Sequence, residues 1–328
     1  MALRFCIAGV GAVGGTIAAR LAAHGEAVSL VARGERLEQL RRDGLRTQFA
    51  GRAPDALRLP VSDRPEFGIQ DVVVLATKAP ALPALLPSLL PLIGPQTLVA
   101  PLVNGIPWWY FLGDEGPFAG SRVAAVDPEG TLYAALPAAR IVGCVAYLTS
   151  RLEPGGLVRA EGAQRLQIGP IGGPLPGVVS PQIRELGAIF CAAGLATSVA
   201  PQIRAALWTK VALNLATNPL SVVAEATLIE QFTEPLLLPI VTAVIEETLR
   251  VARAFGVGAS MSLEEMIATG RRAGAFETSM LQDYRAGRML ELDAIGRAVL
   301  ELAGKAALRM PTTEILLALC ARRAARRS

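Results

Sequence analysis

Residues 208–221 read WTKVALNLATNPLS, an apolar run interrupted by one lysine and two asparagines at four-residue intervals. On a helix, at about 100° per residue, Lys210, Asn214 and Asn218 lie within roughly 80° of one another. A cation and two amides then share one side of an otherwise apolar element. Buried polar groups need partners, and a bound substrate is one candidate. Desolvation lowers the pKa of a lysine, so Lys210 on such a face suits the role of general acid.

A second constellation lies at the other end of the chain. G-V-G-A-V-G (Gly9, Val10, Gly11, Ala12, Val13, Gly14) follows the short apolar run Leu3–Ala8 and opens a small-residue helix, TIAARLAAHG. Between strand and helix the three glycines have separate tasks. The first permits a tight turn, the second lets backbone approach a pyrophosphate, and the third allows close helix–sheet packing. The free N–H groups of the helix start then face the phosphates. The plain alternative is a glycine-rich turn with no ligand. A basic residue at the end of the second strand favours a 2′-phosphate and an acidic one the ribose hydroxyls. VSLVARGER puts Arg33 there with Arg36 a turn away, so NADP(H) is the expected cofactor, while Glu35 keeps NAD open. Lys78, after the strand DVVVLAT, adds a second positive charge or is an ordinary surface lysine.

These groups need a scaffold. The chain has 328 residues, 52% of them hydrophobic, and a mean hydropathy of +0.42. That length suits two domains. The hydropathy fits either a membrane protein or strands buried on both faces. The most lipid-like region, residues 79–112, is broken by Pro80, Pro83, Pro87, Pro91, Pro95, Pro101 and Pro107. No apolar run there reaches the roughly 20 residues a spanning helix requires. MALRFCIAGVGAVGG lacks a signal-peptide cleavage pattern, so a cytoplasmic protein without membrane association is expected.

Strand and helix patterns alternate as far as TLVAPLVNG (97–105), with a polar stretch before DVVVLAT (71–77). Alternation of this kind implies a Rossmann-like, doubly wound parallel sheet. From about residue 140 RIVGCVAYLTS, GGLVRAEG and RLQIGPIGG read as strands joined by glycine turns, and IGGPLPGVVS (171–180) as the most linker-like segment. PQIRELGAIFCAAG then reads as a helix and LATSV as a strand. From Pro201 nearly everything is helical, including a stretch from about Leu290 to Gly304, and Pro219 is expected to kink or end its helix beside Asn218. The fold class is therefore α/β: an N-terminal doubly wound domain over 1–200 and an all-helical domain over 201–328.

The four cysteines, Cys6, Cys144, Cys191 and Cys320, are widely separated with no C-x-x-C pair, which suits free thiols and argues against a zinc site. Net charge is +4, with much of the excess in ARRAARRS at the end. A solvated helix end explains that tail more simply than nucleic acid does. His24, the single histidine, precedes Gly25 at a helix end and reads as structural.

Without a placed histidine, the acid for a carbonyl reduction must be a lysine, tyrosine or carboxylic acid. None of Tyr110, Tyr133, Tyr147 and Tyr284 has a lysine four residues on, so a Tyr-x-x-x-Lys pair is absent and Lys210 is preferred. At this point GVGAVG, VNGIPWWYF (103–111), the K-x-x-x-N-x-x-x-N-P run at 210–219 and TSMLQDYRAGRMLELDAI (278–295) together resemble the ketopantoate reductase (2-dehydropantoate 2-reductase) family. The resemblance covers essentially the whole chain in the right order. It implies a Rossmann domain and a helical domain with the site in the cleft between them, and reduction of a 2-oxo acid in pantothenate biosynthesis. It implies Lys210 as catalytic lysine, Asn104 beside the nicotinamide, and Glu291 at the cofactor ribose and the lysine. It further implies Asn214, Asn218 and Ser279 as substrate-binding residues, Ser279 on the carboxylate. Trp108, Trp109 and Trp208 read as packing residues. One departure stands out: where the family carries another substrate-contacting asparagine, ten residues after Asn218, this chain has Leu228. Loss of such a polar contact changes specificity, so another 2-oxo acid remains a second reading. A non-catalytic NADPH sensor and a beta-hydroxyacid dehydrogenase are further alternatives. The apolar helical domain is compatible with a homodimer, as it is with a buried core.

Overall fold

The computed structural model describes residues 2–172 and 177–326. Met1, residues 173–176 of the linker-like segment and the last two residues of the arginine-rich end lie outside the described residues. The chain forms two compact units: residues 2–103, 131–172 and 177–203 make the first, and 104–130 with 204–326 the second.

In the first unit β1 (Arg4–Ala8) leads to α1 (Ala12–His24), β2 (Ala27–Val31) and α2 (Gly34–Asp43). The expected polar stretch then contains β3 (Leu45–Phe49), β4 (Asp55–Leu57) and β5 (Val61–Ser62). These strands are short, and only alternate residues of β3 reach the core, so no apolar run betrayed them. β6 (Gln70–Leu75), α3 (Leu82–Leu89), β7 (Ile93–Pro101) and the short α4 (Thr131–Ala135) follow. β8 (Val142–Leu152), β9 (Val158–Pro170), α5 (Pro181–Ala192) and β10 (Ala196–Val199) complete the unit.

Five strands form an all-parallel sheet in the order β5-β2-β1-β6-β7. Phe5, Cys6, Ile7 and Ala8 of β1 are wholly buried, as are Val73, Val74 and Leu75 of β6. Such unbroken apolar runs belong to strands covered on both faces. The second sheet runs β10-β9-β3-β4, with β8 pairing antiparallel to β9. α1 packs against β2 of one sheet and β3, β8 and β9 of the other. Its small residues permit this approach; a Cβ on Gly15 would stand 2.8 Å from a Val158 methyl. Two sheets around one alanine-rich helix account for the high hydropathy. No helix among the described residues is long and apolar enough to cross a membrane.

β9 is one strand where the sequence suggests two. Gly162, at φ +65°, sits where its pairing with β8 slips register between Leu148 and Ser150. The glycine makes a bulge and the strand continues through it.

The second unit holds α6 (Ile203–Ala224) from Arg204 onward, then α7 (Leu228–Thr233), α8 (Leu238–Ala254) and α9 (Leu263–Arg271). α10 (Ser279–Arg285), a π-helical turn at Asp293–Arg297, α11 (Ala298–Lys305) and α12 (Pro311–Ala325) follow. α8 is central, packing against α7, α9, α11 and α12. Residues 104–130 fold with this unit although they precede residue 200 by a wide margin. Tyr110 and Phe111 are buried there against Phe255, and Tyr110 also against Trp208. The Trp208 indole donates to Tyr110 Oη at 2.9 Å. Arg204 forms a buried bidentate pair with Asp114. These contacts fasten the segment to the first half of α6.

α6 does not end at Pro219 but continues for five residues. Burial of Leu220, Ser221 and Val222 outweighs the lost backbone hydrogen bond. Helix after Glu291 begins at Leu292, close to the expected start, and its first full turn is the π turn at Asp293–Arg297.

Candidate active site

In the first unit the glycine loop has the shape its residues suggest. Gly9 has φ +100°, and a Cβ there would meet Thr77 Cγ2 at 2.6 Å. A Cβ on Gly14 would fall 1.9 Å from the Gly9 carbonyl oxygen. Gly11, by contrast, has nothing among the described residues within 4 Å of its Cβ position. The loop is thus closed on the protein side at Gly9 and Gly14 and open at Gly11, as close approach by a diphosphate requires. Val10 is buried, while Ala12 and Val13 begin α1 with no acid in the first turn and no side-chain cap on the N-terminus. The free N–H groups of that turn suit an anion. The Thr77 hydroxyl is buried without a hydrogen-bond partner among the described residues. Packed against Gly9, it is a further candidate cofactor contact. Its only signal in the sequence is its place at the end of an apolar strand, next to the charged Lys78.

Arg33 is exposed at the N-cap of α2, with Glu35 exposed in the first turn. Arg36 has a different situation. Its Nε donates to the Val10 carbonyl at 2.8 Å, and one terminal nitrogen donates to Gln39 and to the Gly156 carbonyl. Burial lowers its pKa. Arg36 shapes the loop, and Arg33 is the arginine exposed to solvent. Lys78 is exposed just beyond β6, at the N-cap of a short 3₁₀ turn. His24 ends α1 beside Gly25, whose φ of +101° closes the helix, and contacts Glu26.

In the second unit α6 presents the lysine and both asparagines. Lys210 is half-buried, and its Nζ donates to Asn104 Oδ1 at 2.9 Å. Asn104 Nδ2 in turn donates to Glu291 Oε2 at 3.4 Å. The reverse amide orientation would set NH₂ against ammonium and oxygen against carboxylate, so the chemistry fixes this one. Burial pulls the Lys210 ammonium down to about 8, and the Glu291 charge pulls it partly back. Such a group is poised to lose a proton near neutrality.

Gly105 sets where Asn104 stands. It has φ +79°, and a Cβ there would lie 2.0 Å from the Ala294 carbonyl oxygen. That carbonyl, inside the π turn, accepts from the Ile106 amide at 2.9 Å. The turn following Glu291 therefore packs directly on the backbone following Asn104. Nothing in the residue pattern of 290–304 announces a π turn.

The two asparagines differ. Asn214 is half-buried, and its side chain makes no hydrogen bond among the described residues. Asn218 is 3% exposed and committed: Nδ2 donates to the Asn214 carbonyl, while Oδ1 accepts from Ser279 Oγ at 3.3 Å and the Met280 amide at 3.2 Å. Ser279 itself is exposed at the first position of α10. Leu228 opens α7 half-buried, its amide donating to the Phe276 carbonyl at 3.0 Å. Trp108, Trp109 and Trp208 are all buried.

An α/β unit with a dinucleotide-type glycine loop, followed by a helical unit bearing a desolvated lysine, defines a class of two-unit oxidoreductases. Residues 5–173 match the model of the family described as ketopantoate reductase PanE/ApbA, and residues 202–324 match the model of its C-terminal region. The chain belongs to the ketopantoate reductase family. It is similar to a 2-dehydropantoate 2-reductase of Mesorhizobium japonicum, 34% identical and covering 99% of both chains. A crystal structure of a Ralstonia solanacearum protein assigned as a ketopantoate reductase superposes with a TM-score of 0.92 at 37% identity, covering 99% of each chain. D-mandelate dehydrogenase, solved with NADH and anilino(oxo)acetate, shares the fold at a TM-score of 0.84 and 22% identity, again over 99% of each chain.

Proposed function

We propose that this enzyme reduces a small 2-oxo acid with NADPH, and that the acid is 2-dehydropantoate (ketopantoate), giving pantoate for pantothenate biosynthesis. The first unit, by this reading, holds the cofactor through Gly9–Gly14, Thr77, Arg33 and Lys78. The second supplies the substrate-binding and catalytic groups. The observation that carries the reading is the Lys210–Asn104–Glu291 contact on a half-buried helix face. A binding module needs no ammonium with its pKa lowered to about 8. The relatives named 2-dehydropantoate 2-reductase support the choice of substrate.

The cofactor, when bound, supplies a hydride to the keto carbon. Lys210 gives one Nζ proton to the carbonyl oxygen as that carbon becomes tetrahedral, so ketone becomes alcohol and the lysine is left neutral until solvent reprotonates it. Asn104 holds Nζ in place through Oδ1. Glu291 keeps the lysine charged at rest. Asn214 and Ser279 are the polar groups available to orient the substrate, with Ser279 donating to its carboxylate. In this proposal Arg33 contributes the charge that selects a 2′-phosphate.

A second reading keeps the chemistry and changes the acid. The Leu228 backbone amide donates to the Phe276 carbonyl. The residue that stands where the family carries an asparagine is thereby joined to the segment leading to Ser279, and loss of that amide side chain would alter specificity. Steady-state assays across a panel of 2-oxo acids, each with NADPH and with NADH, test both. Highest kcat/KM for ketopantoate with NADPH is expected. Equal or better turnover of a branched or aromatic 2-oxo acid favours the second reading, and turnover of none removes the assignment.

A further inference from the structure

α10 starts where α6 holds it. Ser221 Oγ donates to the Asn218 backbone carbonyl at 2.6 Å and also lies 2.6 Å from Thr278 Oγ1. A serine has one hydroxyl proton. With that proton on the Asn218 carbonyl, Thr278 must be the donor in the hydroxyl pair. Thr278 Oγ1 in turn accepts from the Leu281 amide at 3.2 Å. The hydrogen bonds therefore run one way, from Leu281 N–H to Thr278, from Thr278 to Ser221, and from Ser221 to the α6 backbone. Ser221 is 0% and Thr278 7% exposed, so water does not compete for this chain.

The Asn218 side chain makes a second connection between the same two elements. Its Oδ1 takes both the Ser279 hydroxyl and the Met280 amide, and its Nδ2 goes to the Asn214 carbonyl. A flipped amide would point NH₂ at the Met280 N–H, so the orientation is determined. Leu228 N–H to the Phe276 carbonyl fixes the same segment two residues before Thr278. The helical residues beyond Pro219 carry Ser221 one turn past Asn218, which is what the uninterrupted α6 achieves.

We propose that Asn218, Ser221 and Thr278 are positioning residues that set the Ser279 hydroxyl for the substrate, and that Asn218 acts through Ser279 without touching the substrate. This rests on the 2-oxo acid reading above. At 3.3 Å the Ser279–Asn218 bond is the longest of the set. The Ser279 proton can turn to an incoming carboxylate while the Met280 amide still holds Asn218. Substrate binding then exchanges one weak hydrogen bond and leaves the helix start in place.

The test uses the full-length enzyme and the 2-oxo acid that it turns over best. Thr278→Val removes the hydroxyl chain at constant volume, and Thr278→Ser keeps it. Thr278→Val and Ser221→Ala are each expected to raise the KM for the 2-oxo acid about fivefold, with kcat and the NADPH KM within about twofold and Thr278→Ser near wild type. Amide exchange at Met280 and Leu281 accelerates in the same two variants. In a Ser279→Ala background, adding Ser221→Ala or Asn218→Ala changes KM by less than about twofold, because their route to the substrate is already gone. Faster exchange with an unchanged KM overturns the proposal. So does an Asn218→Ala effect that multiplies fully with that of Ser279→Ala, which marks direct contact. A wild type that reduces no 2-oxo acid fails the functional reading itself, a result distinct from normal turnover with an insensitive KM.

Discussion

Lys210 and Asn104, 106 residues apart in the chain, meet in one 2.9 Å hydrogen bond in which Nζ donates to Oδ1. One end of that bond is set by the buried face of α6 and the other by Gly105 against the π turn.

Removal of the ammonium is the first check. Lys210→Ala is expected to lower kcat by about 10²–10⁴-fold while NADPH affinity, measured by fluorescence titration, stays within about threefold. Full turnover in this variant would end the proton-donor assignment.

The pH dependence follows from the same group. With Lys210 as the proposed proton donor, reduction needs it protonated, and burial lowers its pKa to about 8. The rate of reduction should therefore be sustained below that pH and fall as pH rises through it. Glu291 stabilises the charged form, so Glu291→Gln moves the alkaline limb to lower pH. A limb that stays put, or moves upward, contradicts the role given to Glu291.

The glycine loop offers a pair of substitutions with opposite signatures. Gly14→Ala collides with the Gly9 carbonyl inside the protein and should lower both Tm and cofactor binding. Gly11→Ala meets nothing among the described residues within 4 Å, so Tm should hold while NADPH affinity falls about tenfold or more, because the methyl group would enter the space proposed for the pyrophosphate. Calorimetry with cofactor titration separates the two.

Arg33→Ala tests cofactor choice. The NADPH KM is expected to rise about tenfold with the NADH KM nearly unchanged, since only the former has a 2′-phosphate for Arg33 to meet. Equal effects on both cofactors would assign Arg33 a general role.

Gly105→Ala forces a side chain onto a backbone at φ +79° and into the Ala294 carbonyl. The strain is about 1–3 kcal/mol before the collision is counted, so Tm should drop. kcat should fall more than the substrate KM rises, because Asn104 loses its bearing on Lys210. A variant with lowered Tm and intact kcat would show that Asn104 is positioned by other contacts.

Much of this was legible in the residues, for identifiable reasons. The parallel sheet showed because strands covered on both faces leave unbroken apolar runs, as in RFCIA and DVVVL. The α6 stripe showed because polar residues at four-residue spacing stand out on an apolar helix. What stayed hidden depends on distant contacts. β3–β5 are too short and polar to register, and Gly162 reads as a turn unless β8 is known to pair across it. Pro219 reads as a helix end unless the burial of Ser221 and Val222 is known. The grouping of 104–130 with the helical unit comes from Tyr110, Phe111 and Asp114 meeting side chains of α6 and Phe255, which no local pattern encodes. The difference between Asn214 and Asn218 is of the same kind: identical residues one turn apart, distinguished only by what α10 brings to the second.

Through Arg36 the Val10 carbonyl is tied to two separate parts of the unit, to α2 and, by way of the Gly156 carbonyl, to the turn between β8 and β9. Little backbone freedom is left to lose at the moment of association, so that step should be quick and its entropic penalty small.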